Sequence, residues 1–433
     1  MEEIRYHSVR LAVERCKGCT NCLKHCPTDA IRVRGGRAHI INEMCIDCGR
    51  CIQICEHHAK IAVTDDLGMI RDYIHPIALP APSLYSQFKE LRSREQLFDA
   101  FRAIGFDDVF EVAVGADVAS CAIRERIRDK DFPKPVISSA CPAVVRLIQV
   151  RCPDLIDHIV DVKQPMEVAA IMAREHFSKK YACAPEDIGI FFITPCPAKM
   201  TAIHHPIGHD RSAVDGAISF MDIYGRLLAN LKSGPETPAD VEATSYGVGW
   251  GVISGEGEAV RPGNVLCVDG IKNVIRVLEE IENENLPDLD YFEGNACVGG
   301  CVGGALTFEN NYIARNALKK VASGLDSRHP DDFYTAEKIR DPRFINTEPI
   351  EPNTVMKLDD DIVAAMRKLD RINDILLRLP GYDCGSCGSP TCRTFAEDIV
   401  RGQCTEMDCI HILKDRIKDM AEEMLTLAQS QRE

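Results

Sequence analysis

Two cysteine sets in the first sixty residues constrain this chain more than any other feature. Cys16, Cys19, Cys22 and Cys26 recur as Cys45, Cys48, Cys51 and Cys55, each set with two, two and three intervening residues. The short spacing wraps one loop around three irons of a cubane 4Fe-4S cluster, while the distal fourth cysteine reaches a second cluster. Structural zinc also uses four cysteines, but two consecutive runs of this spacing favour iron-sulfur clusters. Residues 1–68 therefore read as a small domain organised by two adjacent clusters, a wire that implies a redox site at its far end.

The remaining chemistry is consistent with that reading. There are 21 cysteines among 433 residues. No charged start with an apolar leader stands at the beginning, and no run reaches the ~20 apolar residues that cross a bilayer, so a cytoplasmic protein without a membrane partner is expected. In a reducing compartment closely spaced thiols are metal ligands rather than disulfides, and the clusters favour an anaerobic cell. The formal charge of −15 repels nucleic acid.

Over residues 69–352 short apolar strands, among them 135–138, 188–193 and 265–268, alternate with amphipathic helices, which predicts parallel α/β architecture. The glycine-rich run 247–257 lacks the Lys-Ser/Thr of a phosphate loop and reads as turns and close packing. A Pro- and Asp-rich connector over 341–353 leads to a connecting amphipathic helix in 353–380, stopped by Pro380 and Gly381. Its stripe is Ile362, Met366, Leu369 and Leu376. A last helix over 408–429 carries Ile412, Ile417, Met420 and Met424. Both stripes are expected to pack on their own domain, with homodimerisation the alternative.

Residues 381–433 form a second cysteine-rich module, with Cys384, Cys387 and Cys392 followed by Cys404 and Cys409. Four of the five could hold another cubane, and zinc is the other occupant such a set takes. In the middle of the chain, Cys141, Cys196 and the pair Cys297 and Cys301 each follow a short apolar strand, where sites assemble in α/β proteins. Singly each is as readily a packing thiol. Together, with glycines allowing close backbone approach over 297–304, they favour one buried metal site.

These motifs, in this order behind a domain of bacterial-ferredoxin spacing, resemble the H-cluster domain of iron-only (FeFe) hydrogenases over residues 1 to about 310. The resemblance implies an α/β two-lobed H-cluster domain, with parallel or mixed sheets flanked by helices. An α+β bacterial-ferredoxin-like domain would precede it and a small helical C-terminal Fe-S module would follow. One ferredoxin cluster would take Cys16, Cys19, Cys22 and Cys55, and the other Cys45, Cys48, Cys51 and Cys26. Cys141, Cys196, Cys297 and Cys301 would bind the cubane of the H-cluster. Cys301 would bridge to a diiron centre carrying carbonyl, cyanide and azadithiolate ligands. Lys199 matches the lysine that donates to one cyanide, Ala81, Pro82 and Ser83 match the segment lining the other, and Pro195 precedes the second ligand. The C-terminal stretch resembles the Fe-S module of Rnf-type subunits and corrinoid iron-sulfur proteins, whose spacing selects Cys409 and leaves Cys404 spare. Three 4Fe-4S clusters plus the H-cluster are implied, with dedicated maturation enzymes among the partners.

The departures carry as much information. Productive members have a proton-carrying cysteine where this chain has Ala140, and flanking methionines where it has Thr194 and Asn295. These changes and the C-terminal module resemble the sensory branch of the family. The expected function is slow, reversible oxidation of hydrogen and reduction of protons, serving as a hydrogen or redox sensor that passes electrons to ferredoxin or a signalling protein. The alternatives are a metabolic hydrogenase subunit and an electron-transfer scaffold without the diiron centre. Cys121, Glu111 and Asp117 are candidates for a substitute proton path. Cys152, Cys183 and Cys267 read as packing thiols.

Overall fold

A computed structural model describes residues 7–89, 91–231 and 236–430. Four short strands come first: β1 (Val9–Leu11), β2 (Ile31–Arg34), β3 (Arg37–Ile40) and β4 (Lys60–Ala62). Seven follow: β5 (His75–Pro80), β6 (Asp108–Val109), β7 (Val136–Ile137), β8 (Ile188–Thr194), β9 (Gly216–Ser219), β10 (Val265–Asp269) and β11 (Tyr291–Asn295). The chain divides into two compact units.

The first unit holds residues 7–9, 46–49 and 62–353 and contains two separate sheets. One has the order β6-β5-β8-β9 and the other β10-β11-β7, and every pairing in both is parallel. Strand β8, Ile-Gly-Ile-Phe-Phe-Ile-Thr, is buried along its whole length. A strand with both faces covered needs such an unbroken apolar run. The helices Val112–Arg128 and Pro165–Tyr181 pack against each other beside the first sheet. The three strands expected over 135–138, 188–193 and 265–268 are β7, β8 and β10. The glycine-rich run forms two short helices, Ser245–Gly249 and Gly255–Val260. A Cβ at Gly255 would lie 1.9 Å from the Gly249 carbonyl oxygen, so this turn is closed by backbone contact.

The second unit combines residues 10–45 and 50–61 with 354–433. Its β2–β3 hairpin is antiparallel, with Ile31 opposite Ile40. One apolar cluster centres on Leu23, Ile31 and Ala59, another on Ile372, Ile375, Phe395 and Ala396. Burying each large apolar side chain contributes roughly 1.5–3 kcal/mol, a modest sum for cores this small.

The two helical stripes are a correction. Of the expected row on the helix Ile362–Arg378, Leu376 packs on the module's core beside the buried Ile372 and Ile375, while Ile362, Met366 and Leu369 are exposed. Of the expected row on the helix Ile410–Ser430, Ile412 packs on the module, while Ile417, Met420 and Met424 face solvent. Apolar periodicity specifies a face but not its partner. Among the described residues no helix is long and apolar enough to cross a membrane.

Candidate active site and cluster-binding residues

The strand ends of the first unit converge on one cavity. Cys141 follows β7 and is the N-cap of the helix Pro142–Arg151, and Cys196 follows β8 and caps the helix Pro197–His204. Both helices begin with proline, whose fixed φ suits a first turn. Cys297 and Cys301 lie beyond β11 in a loop that passes through Gly299 and Gly300, at φ +89° and +88°. A Cβ on Gly300 would sit 2.6 Å from the backbone nitrogen of Ile253, so this loop can approach its neighbour only with glycine here.

All four thiols line one cavity. Burial pushes Cys196 up to about 12, and the charges of Cys141 and Cys301 act on it, a measure of how closely the set converges. Cys297 is held well above the ordinary thiol range, and Cys301 is raised, first by burial in each case. The Lys199 ammonium opposes the shift at both Cys196 and Cys301. Thiols so desolvated ionise readily only against a cation, which is the condition a metal cluster meets.

The other expected residues are here too. Ala81, Pro82, Ser83, Thr194, Pro195, Asn295, Lys199 and Ala140 all line this cavity. The Ser83 hydroxyl is fully buried and makes no hydrogen bond among the described residues, a donor left for something inside. Lys199 Nζ lies 5.6 Å from the Phe192 ring centroid. Thr194 and Asn295 are tied to protein: Thr194 Oγ1 accepts from the Cys196 N–H at 3.2 Å, and Asn295 Nδ2 donates to Glu293 Oε1 at 3.1 Å. Four converging thiols, a half-buried cation and an unpaired hydroxyl fit a cubane joined to a diiron centre with anionic ligands.

Two carboxylates were not foreseen. Glu256 and Glu293 line the same cavity and are almost wholly inaccessible. Ser138 Oγ donates to both oxygens of Glu256, at 2.7 and 2.9 Å, and Tyr291 Oη donates to Glu256 Oε1 at 2.5 Å. Burial, then the charge of Glu293, pushes Glu256 up to about 8. Glu293 is also raised by burial, but the backbone N–H groups of Ser254 and Gly257, each at 2.9 Å, stabilise its anion. Glu256 is thus the member that keeps its proton near neutrality. Next to Glu293 in strand register stands Cys267, partly exposed on β10, whose thiol hydrogen-bonds to that carboxylate. Nothing in the sequence spacing links 138, 256, 267, 291 and 293; only the parallel β10-β11-β7 sheet and the helix beside it do.

The three proton-path candidates named from sequence lie elsewhere. Glu111 is paired with Arg94, Asp117 accepts from Thr244 Oγ1 at 2.6 Å, and Cys121 is buried in the helix Val112–Arg128. None of them lines the cavity.

In the second unit Cys16, Cys19, Cys22 and Cys55 surround one small cavity, the grouping the ferredoxin pattern implies. The backbone N–H groups of Ala38 and Ala59 donate to Cys16 and Cys55 sulfurs at 3.3 Å. Burial and then the charge of Cys26 push Cys51 up to about 12. Cys384, Cys387, Cys392 and Cys409 line another cavity, with His411 beside Cys384 at 3.9 Å. Cys404 is outside it and directs its thiol to the Phe395 carbonyl.

A family model described as the iron only hydrogenase large subunit, C-terminal domain, matches residues 74–261 and 247–305, more than half of the chain. The chain belongs to the iron-only hydrogenase family. A 4Fe-4S dicluster domain model matches residues 8–56 and an Fe-S cluster model residues 379–411. Iron hydrogenase 1 of Clostridium pasteurianum is 22% identical over 53% of this chain and 49% of its own length. The periplasmic Fe hydrogenase large subunit of Nitratidesulfovibrio vulgaris is 26% identical over 45% and 51%. The chain therefore spans about half the length of these curated relatives. The fold is that of solved FeFe-hydrogenases. A structure describing stepwise H-cluster assembly has a TM-score of 0.53 at 19% identity, covering 64% of this chain and 94% of that one. The apo enzyme variant from Chlamydomonas reinhardtii has 0.52 at 18%, with the same coverage.

Proposed function

We propose that this chain is a slow, reversible hydrogenase that works as a cytoplasmic hydrogen or redox sensor. The observation that carries this reading is the pairing of a methyl group, Ala140, with a buried carboxylate pair in one thiol-lined cavity. Cys141, Cys196, Cys297 and Cys301 would hold the H-cluster, with Cys301 as the bridge, and when bound this group supplies the heterolytic chemistry of hydrogen. Lys199 and Ser83 would orient its anionic ligands by charge and hydrogen bond.

The chain's own contribution is proton handling and exclusion of water. Ala140 cannot relay a proton. Its backbone N–H donates to Ser138 Oγ at 3.1 Å, which places the hydroxyl and carboxyl of Ser138 and Glu256 beside the gap. Glu256 would hold a proton on its carboxyl and exchange it with Glu293, and the Cys267 thiol would connect Glu293 to the exterior. A carboxyl set near the working pH suits transfer in both directions. Electrons would leave through the ferredoxin cubanes. Gly49, next to Cys48, packs against Pro197 and Ala305, and the charge of Cys48 is felt at Cys297.

Infrared spectroscopy of protein matured with the family's assembly enzymes tests the reading. Carbonyl and cyanide bands with low turnover support it. Their absence favours an electron-transfer scaffold, and fast turnover favours a metabolic subunit passing electrons to ferredoxin.

A further inference from the structure

The C-terminal cysteine loop is clamped directly onto the ferredoxin hairpin. Val33 N donates to the Gly388 carbonyl at 2.9 Å, and Gly388 has φ +83° with the position of a Cβ 1.8 Å from the Val33 oxygen. Only glycine can take that conformation at that distance. Arg32 grips Asp398 through Nε and Nη2 at 2.6 and 2.9 Å, with both side chains buried. Arg34 reaches further, donating from Nη1 to the Cys387 carbonyl at 2.7 Å and from Nη2 to Ser389 Oγ at 2.9 Å. At the other end of the loop, a Cβ on Gly385 would lie 3.2 Å from both Leu23 Cδ2 and Lys24 Cε. Those two residues sit between Cys22 and Cys26. One cluster-binding loop thus rests on another, and a guanidinium is fixed at their junction.

We propose that the C-terminal module is an electron store branching from the ferredoxin wire, and that Arg34 sets its potential. This rests on the cluster assignments made above. The transfer is one electron: a reduced ferredoxin cubane is oxidised as the cubane held by Cys384, Cys387, Cys392 and Cys409 is reduced, with no bond made or broken. A fixed positive charge beside the thiolates stabilises the reduced, more negative cluster and raises its potential. The hydrogen bond from Arg34 Nη1 to the Cys387 carbonyl holds that charge against the backbone of a ligand residue. Arg34 Nη2 also donates to Asp398 Oδ2 at 3.1 Å, the carboxylate it shares with Arg32, so two guanidiniums face one carboxylate. Arg34 is a positioning residue, since it touches backbone, hydroxyl and carboxylate rather than sulfur.

The test is a potentiometric titration of the fully matured chain followed by electron paramagnetic resonance. Cys392→Ser first identifies the C-terminal signal; if it alters neither iron content nor spectrum, there is no cluster there and the assignment beneath the inference falls. With the cluster present, half-reduced protein should show dipolar broadening between it and a ferredoxin cluster. Arg34→Gln should lower the midpoint of that signal alone, and Arg34→Lys should restore most of the shift. Both variants leave the buried Arg32–Asp398 pair in place. A C-terminal signal that is unbroadened, or unmoved in Arg34→Gln with its iron retained, overturns the proposal. Loss of the C-terminal iron in Arg34→Gln but not Arg34→Lys would also overturn it, assigning Arg34 to assembly instead.

Discussion

Ser138 and Glu256 meet through one hydroxyl that reaches both carboxylate oxygens, at 2.7 and 2.9 Å, two residues along the chain from Ala140. The same hydroxyl accepts from the Ala140 N–H at 3.1 Å, so it links the carboxyl to the backbone of the residue whose side chain carries no transferable proton.

Glu256→Gln keeps the shape and the hydrogen bonds but cannot exchange a proton. Hydrogen turnover should fall by about 10²-fold, the usual scale for losing a general acid or base. Infrared bands of the bound cofactor should stay in place. Unchanged turnover would remove Glu256 from the path.

The same carboxyl should leave a mark on the pH dependence. Its value of about 8 in the folded chain lies above the unfolded ~4.3. Its contribution to stability is therefore fully present below the unfolded value and lost as pH rises through about 8. Proton reduction, which needs the acid form, should decline over the same rise. Denaturant midpoints and rates measured on either side of that pH should differ less in Glu256→Gln than in the parent.

Ala140→Cys should raise turnover by about tenfold, equivalent to about 1.4 kcal/mol of barrier. A flat rate with the cofactor intact would show that Ala140 is not the bottleneck.

Gly300→Ala places a methyl against the Ile253 nitrogen at φ +88°. We expect about 1–3 kcal/mol of strain, read as a lower unfolding midpoint, with reduced iron content at the central site.

Asp398→Ala leaves the Arg32 guanidinium buried and unpaired. Removing one partner of such a pair costs about 3–5 kcal/mol. Limited proteolysis should then release residues 354–433 while leaving the first unit resistant.

The cluster ligands were legible because their chemistry is local. Two intervening residues between thiols define a loop geometry in any context, and thiols behind apolar strands mark strand ends, so the cavity's four cysteines could be named without coordinates; Lys199 and Ala140 were named through the family resemblance. The buried carboxylate pair was not legible. Glu256 and Glu293 are 37 positions apart in the numbering, and an isolated acidic residue reads as surface until a sheet buries it. The same holds for Arg32, Arg34 and Asp398, charges on a short strand and a distant helix. The stripe residues Ile362, Met366 and Leu369, and Ile417 to Met424, failed for the converse reason: periodicity says which side chains share a face, and only packing says whether anything covers it. The sequence by itself named the candidate ligands and the family to which the chain belongs. Tertiary structure alone decided which charges lose their water, because burial depends on contacts between segments far apart in the chain, and burial is what raises a carboxyl's hold on its proton.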